Sequence, residues 1–318
     1  MKMISFVIPC YRSTQTLPGV IKEIQDTMDK LNKYTYEILL INDCSPDDTF
    51  ETIRNICGEN DNVLGINLAK NFGQHSALMA GFHHMKGDIV VCLDDDGQTP
   101  ADEVDKLLSK IEEGADVVYA KYTQKHHSGF RNWGSHVNEL MTRVMLGKPK
   151  ELFLSSYFAA RRFVVDEMLN YKGAYPYVIG LVLRTTKNIV NVEVNHRDRQ
   201  AGSSGYTFKK LFGLWVNGFT AFSVKPLRIA TMTGAICAFA GFAYGIYTII
   251  KKVFIQPPEL VVGFSALMSV LVFMGGMLML MLGLVGEYIG RMYISMNNSP
   301  QYVIREIVGE DAENQHEG

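Results

Sequence analysis

Val90-Val91-Cys92-Leu93-Asp94-Asp95-Asp96-Gly97-Gln98 reads as an apolar strand that ends in three consecutive carboxylates. Open α/β folds bind ligands in the crevice at the carboxyl ends of their strands, so acids placed there sit at the mouth of a sheet. Carboxylates this close repel one another unless a cation lies between them. A hard divalent ion suits such an oxygen-only set, and with few protein carboxylates it completes its shell with water and substrate phosphates. Without a ligand the same residues make a solvated acidic turn.

Around this run, strand-like apolar segments alternate with helical patterns. Ile4–Ile8, Glu37–Ile41, Val63–Leu68, Asp88–Leu93 and Val117–Ala120 read as strands; Leu17–Leu31, Asp48–Cys57, His75–Met85 and Pro100–Glu112 read as helices. Thr99-Pro100-Ala101-Asp102 predicts an N-cap followed by proline at the first helical position. Such alternation implies a mostly parallel, Rossmann-like sheet with helices on both faces. No GxGxxG follows the first strand, which disfavours a dinucleotide site of the usual kind.

The composition changes near residue 226. No charged residue occurs from Ile229 to Ile250, nor from Leu260 to Gly286. Each run exceeds the roughly 20 residues that cross a bilayer as a helix. Lys251 to Glu259, with Pro257-Pro258, is a short turn, so the two runs make a hairpin with both ends on one side. Basic residues are more numerous on its flanks (Lys209, Lys210, Lys225, Arg228, Arg291, Arg305) than in its turn, which places the flanks in the cytoplasm. Met1-Lys2-Met3-Ile4-Ser5 enters a strand pattern at once and does not read as a signal peptide. The expected layout is a cytoplasmic catalytic domain over 1–205, an amphipathic juxtamembrane helix over 206–225, two membrane helices within 226–290 (229–250 and 260–286) and a cytoplasmic tail over 291–318. Phe208–Phe222, and less clearly Arg131–Leu146, carry aromatic and aliphatic residues beside basic ones, as in helices lying in a membrane interface.

A formal charge of -2 argues against a nucleic-acid binder working by bulk charge. Five scattered cysteines, without metal-ligand spacing, fit a reducing compartment.

Further segments share the edge of the acidic run. Phe6-Val7-Ile8-Pro9-Cys10-Tyr11 ends the first strand and Leu40-Ile41-Asn42-Asp43 the second. Asn71-Phe72-Gly73-Gln74-His75-Ser76-Ala77 leads into the third helix, and Arg197 to Tyr206 forms a polar, glycine-containing loop before the hairpin. With these motifs in this order, the chain resembles the membrane-anchored polyprenyl-phosphate glycosyltransferases of glycosyltransferase family 2. The likeness is nearest to the undecaprenyl-phosphate 4-deoxy-4-formamido-L-arabinose transferase branch and more distant to the dolichol-phosphate mannose synthases. It runs from Val7-Ile8-Pro9 to Gly286-Glu287-Tyr288-Ile289-Gly290-Arg291.

The resemblance implies a GT-A fold and inverting transfer from a nucleotide sugar, with UDP favoured, to undecaprenyl phosphate at the bacterial inner membrane by a homo-oligomer. It assigns Pro9, Tyr11, Asp43 and Asp95 to the donor nucleotide, and Asp94, Asp96 and Gln98 to a Mg2+ or Mn2+ ion. Arg199, Gly202, Ser204 and Tyr206 match a loop that closes over phosphates; Arg131 and Lys209 add cations for the acceptor, and Asp94, Asp96 and Arg199 are the catalytic set. Two departures stand out. Gly205 replaces the lysine relatives carry after the loop serine, and Leu154-Ser155-Ser156-Tyr157-Phe158-Ala159-Ala160 lacks the Asp that relatives carry before Arg161-Arg162. A dianionic phosphate acceptor tolerates the missing base, whereas an alcohol acceptor would not. A silent scaffold or sugar-nucleotide sensor of the same fold, and a processive polysaccharide synthase, are the competing readings.

Overall fold

The computed structural model describes residues 1–122, 149, 151–195, 264–296 and 299–309, with isolated helical positions between 232 and 254. The chain divides into two units, Met1–Thr207 with Asn298–Gly318, and Phe208–Asn297.

The first unit holds β1 (Lys2–Cys10), α1 (Leu17–Leu31), β2 (Tyr34–Asn42), α2 (Thr49–Glu59), β3 (Val63–Leu68), α3 (Gln74–His84), β4 (Ile89–Cys92), α4 (Val104–Glu112), β5 (Val117–Tyr122), β6 (Phe158–Arg161), α5 (Arg162–Leu169), α6 (Val178–Thr185), β7 (Ile189–Val194) and β8 (Ile304–Val308). They form one eight-stranded sheet in the order β7-β5-β6-β4-β1-β2-β3-β8. β3, β2, β1 and β4 run parallel, whereas β6 and β8 lie antiparallel to their neighbours. This is the mostly parallel, Rossmann-like GT-A architecture that the alternating pattern predicts.

Alternation along β1 decides which residues meet which helix layer. Ile4, Phe6 and Ile8 join Ile38 and Leu40 of β2 in the core with Leu17, Ile21, Ile24 and Met28 of α1 and Leu107 and Ile111 of α4. Val7 and Ile41 face the other way, toward α3. A Cβ on Gly81 would lie 2.4 Å from Val7 Cγ1 and 2.9 Å from Ile41 Cδ1, so glycine lets α3 settle directly on the sheet. α1 buries one face of its 3.6-residue period and ends at Asn32, in the left-handed region (φ 43°), whose N–H bonds Met28 O.

The structure adds three strands to the sequence reading. β6 is only four residues long, β7 is half-buried, and β8 follows the apolar hairpin, where no strand was expected. The helix expected from Pro100 begins instead as a 3-10 turn, Ala101–Glu103, before α4.

In the second unit α7 spans Phe264–Met296, 33 residues, and Phe273–Gly290 is long and apolar enough to cross a membrane (mean hydropathy 1.5). It is the one such helix among the described residues. The helix continues past the expected end at Gly286, through Glu287-Tyr288-Ile289-Gly290-Arg291, to Met296. Positions 232–234, 236, 239, 243, 246, 247 and 250 are helical within the first apolar run. The expected helices over Arg131–Leu146 and Phe208–Phe222 lie outside the described residues.

Candidate active site

Parallel pairing brings the carboxyl ends of β1, β2 and β4 to one edge, and with them Pro9, Tyr11, Asp43 and the acidic run. β6 enters this edge from the opposite direction. Its register Cys92↔Phe158 sets Ser156, two residues before Phe158, against Asp94, two residues after Cys92.

Each acid has a different environment. Asp94 accepts at both carboxylate oxygens, from Gln74 Nε2 at 3.1 Å on Oδ1 and from the Ser156 hydroxyl on Oδ2. Burial, then repulsion from Asp96 and Asp95, pushes its pKa up to about 6 against those two hydrogen bonds. Asp95 faces the first loop instead: its Oδ2 accepts from Tyr11 N at 2.9 Å and its carbonyl from Thr16 Oγ1 at 2.6 Å. Burial raises its pKa as well. Asp96 Oδ1 accepts from Gln98 N at 3.1 Å, closing the turn at Gly97 (φ 73°). Asp95 therefore ties the acidic run to the β1–α1 loop, while Asp94 and Asp96 flank it.

Asp43 is 5% exposed and holds a loop. Its Oδ1 and Oδ2 accept from Phe72 N and Gly73 N at 2.7 and 2.8 Å, and its carbonyl accepts from Asn71 Nδ2 at 3.2 Å. Burial raises its pKa, and the two amides counter that. Gly73 adopts φ 89°, which a side chain would resist, and the chain then turns into α3 at Gln74. A base or ribose would have to use the remaining lone pairs of Asp43.

The neighbouring loop is equally held by hydrogen bonds. Arg12 (φ 60°) and Cys44 (φ 51°) take the left-handed region at the ends of β1 and β2, and Arg12 N donates to Ser45 Oγ at 2.8 Å. The Arg12 guanidinium lies 5.6 Å from the centre of the Tyr11 ring, which is 46% exposed at the mouth. Partial burial opposes ionisation of Asp47, but hydroxyls of Ser45, Thr49 and Thr14 hold its pKa down at about 2. Backbone strain concentrated at one sheet edge is common at functional sites, where surrounding bonds enforce it.

The acids suit a divalent cation by their chemistry. Asp94 and Asp96 offer oxygen ligands, and a cation there would offset the burial and the repulsion from neighbouring acids that raise Asp94. Among the described residues no three His, Cys, Asp or Glu side chains gather as a metal cluster. Two carboxylates are a small protein share of a shell, as for ions that keep water and phosphate ligands. Arg131, Arg199, Gly202, Ser204, Tyr206 and Lys209, together with Gly205, lie outside the described residues.

The sequence reading named Gln74, His75 and Ser156 within their segments but gave them no role in the site. Their signal was topological: Gln74 opens α3 beside the acids, and the β4–β6 register carries Ser156, just before β6, to Asp94. His75 Nδ1 is buried and, among the described residues, unpartnered, and its ring meets Tyr177 edge-on with centroids 5.0 Å apart. Burial lowers its pKa from 6.5 to about 4. The unfolded chain therefore takes up this proton first, so the neutral ring's contribution is intact above 6.5 and is lost as the pH falls toward 4. We predict that His75→Gln flattens the acid side of the melting-temperature profile between these limits; an unchanged profile would show that another group controls it.

Residues 5–169 match the family model described as Glycosyl transferase family 2, and residues 225–292 match the GtrB C-terminal hairpin. Among solved structures the chain is similar to glucosyl-3-phosphoglycerate synthase from Mycobacterium tuberculosis with phosphoglyceric acid (21% identity, 64% of this chain and 73% of that chain, TM-score 0.49). The same enzyme with Mn2+ and uridine-diphosphate-glucose matches at 22% identity over 66% of this chain and 74% of that chain, TM-score 0.49. Mannosyl-3-phosphoglycerate synthase from Rubrobacter xylanophilus matches at 16% identity over 67% and 70%, TM-score 0.48.

Proposed function

Because the chain belongs to glycosyl transferase family 2, we propose that it transfers a sugar from a UDP-sugar to undecaprenyl phosphate, with inversion, at the cytoplasmic face of a bacterial inner membrane. The observation that carries this reading is the pairing of Asp94 with a base-free partner segment. In the stretch before Arg161-Arg162, where the family resemblance leads one to expect an Asp, Ser155 lies within hydrogen-bond distance of the Ala120 and Tyr157 carbonyls (2.9 and 2.8 Å), and Ser156 bonds Asp94. Neither serine can remove a proton from an alcohol at neutral pH. A lipid phosphate, with a second pKa of about 6 as in phosphoserine, needs no such help.

One phosphate oxygen attacks the anomeric carbon from the face opposite the leaving group. The carbon–oxygen bond to the nucleoside diphosphate breaks and its electron pair departs with the diphosphate. Asp94 and Asp96, with Gln98, would hold a Mg2+ or Mn2+ ion, which when bound supplies positive charge beside that diphosphate. Pro9, Tyr11 and Asp43 frame the nucleoside, with the exposed Tyr11 ring as its platform. Arg131, Arg199 and Lys209, with Gly202, Ser204 and Tyr206, are assigned to donor and acceptor phosphates.

The membrane side of the proposal is supported by the match to the GtrB C-terminal hairpin, by α7, and by chain connectivity. β8 pairs with β3 in the sheet of the first unit, so the chain that leaves this unit after 207 returns to it by 298. A segment that starts and ends on one domain crosses a bilayer an even number of times, which fits two spans. Assembly as a homo-oligomer belongs to the same proposal.

The test is mass spectrometry of the lipid after incubating the full chain with undecaprenyl phosphate, Mn2+ and a panel of UDP-sugars. A polyprenyl monophosphate sugar is expected, with UDP released. A diphosphate-linked product would overturn the displacement at carbon. No turnover with any donor would favour a silent scaffold, and a lipid-free polymer a processive synthase.

A further inference from the structure

We infer that Gln74 and Ser156 are positioning residues that fix the Asp94 carboxylate in the orientation that meets the cation; this rests on the metal-dependent transferase reading above. The last torsion of an aspartate is broad and soft, so a carboxylate on a loop after a strand has no preferred plane of its own. Here each oxygen accepts one hydrogen bond, Oδ1 from Gln74 and Oδ2 from Ser156, and the two donors come from different elements. Opposed donors pin the plane, and each oxygen keeps a second lone pair for a ligand. Both donors are neutral, so they orient Asp94 without supplying the positive charge that a cation would bring.

Each donor is itself held. Ser156 stands opposite Asp94 because β6 runs antiparallel to β4 in the register Cys92↔Phe158. Gln74 is aimed by the turn before it, where Asp43 grips the amides of Phe72 and Gly73. Asp43 thus acts on Asp94 at one remove, from the end of β2 through the start of α3. Ser156 thus serves in this chain as a support for the acidic run. Hydrogen bonds behind metal ligands commonly change metal affinity or activity 10–100-fold when removed.

The experiment titrates Mn2+ into the full-length chain in detergent with UDP present, following free Mn2+ by electron paramagnetic resonance, alongside a thermal melt. Gln74→Ala and Ser156→Ala are each expected to weaken Mn2+ binding about 10-fold or more, and Ser156→Thr to restore it, with melting close to the parent. Should Ser156→Ala fail to fold, Ser156→Cys, a weak donor of similar size, carries the same expectation. Mn2+ binding within twofold of the parent in the double variant would overturn the inference and leave the transferase reading standing. A parent chain that binds no Mn2+ with UDP would overturn the metal reading and the inference with it.

Discussion

Asp94→Asn in the full-length chain is expected to lower kcat/KM for sugar transfer by about 10³-fold, with melting unchanged or slightly raised. Asparagine keeps the size of the side chain, so its packing beside β4 and β6 survives. It removes the charge that burial and the neighbouring acids make costly, which is why stability should not fall. On the proposed reading it would lose an anionic ligand for the cation beside the diphosphate, whose positive charge matters most as the leaving group gains negative charge. Asp95→Asn is expected to act differently, through the loop that Asp95 Oδ2 holds at Tyr11 N, and to raise the donor KM more than it lowers kcat. Steady-state kinetics with the donor varied separate the two. Equal losses in both variants would mean that the acidic run works as one undivided patch.

The second large effect is structural. A chain ending at Asn298 is expected to melt about 10 °C below the parent and to aggregate on purification. It loses β8 and with it the Ala69 N to Val303 O bond at 2.8 Å, the Arg54–Glu306 ion pair at 2.9 Å, and the approach of Tyr302 Oη to His83 Nδ1 at 2.9 Å. It also uncovers Gly65, over which Val308 Cγ2 lies 2.6 Å from where a Cβ would stand. A few net hydrogen bonds at about 1 kcal/mol each, plus apolar burial, make roughly 3–5 kcal/mol. At 2–4 °C per kcal/mol for a domain of this size that is about 10 °C. The bare β3 edge then offers unpaired backbone groups to other chains. A truncated chain that melts like the parent would show that β8 is decoration.

The sequence was legible where burial on both faces leaves a strong pattern. β1, β2, β3 and β4 are near-continuous apolar runs, and α1 and α4 bury clean stripes, so the Rossmann-like half could be read directly. β6 could not: Phe158-Ala159-Ala160-Arg161 has no β-branched residue, and only its neighbours in the sheet make it a strand. β8 was hidden by distance, since nothing local in Ile304–Val308 names β3 as its partner. In the site, the spacing of Asp94 and Asp96 was visible and the resemblance set Asp95 apart from them, but the hydrogen-bond partners of the three acids were not. That Asp95 turns to Tyr11 while Asp94 turns to Gln74 and Ser156 depends on which loops the sheet brings alongside. Asp43 was legible as a strand-end acid, yet its hold on Phe72 and Gly73 needed the loop to fold back.

The β3–β8 pairing also sets a schedule for making the protein. β3 is finished at Leu68, but its edge partner begins at Ile304, after the whole apolar hairpin has been synthesised. At 5–20 residues per second the ribosome takes roughly 10–50 s to cover that stretch. Through that interval the nascent domain carries an open edge, the kind of surface that chaperones shield. On the proposed topology, only a chain whose two spans have inserted, returning the tail to its starting side, can close the sheet. Completion of the sheet would then register correct membrane insertion, and a chain inserted with a single span would keep an open edge for quality control to find.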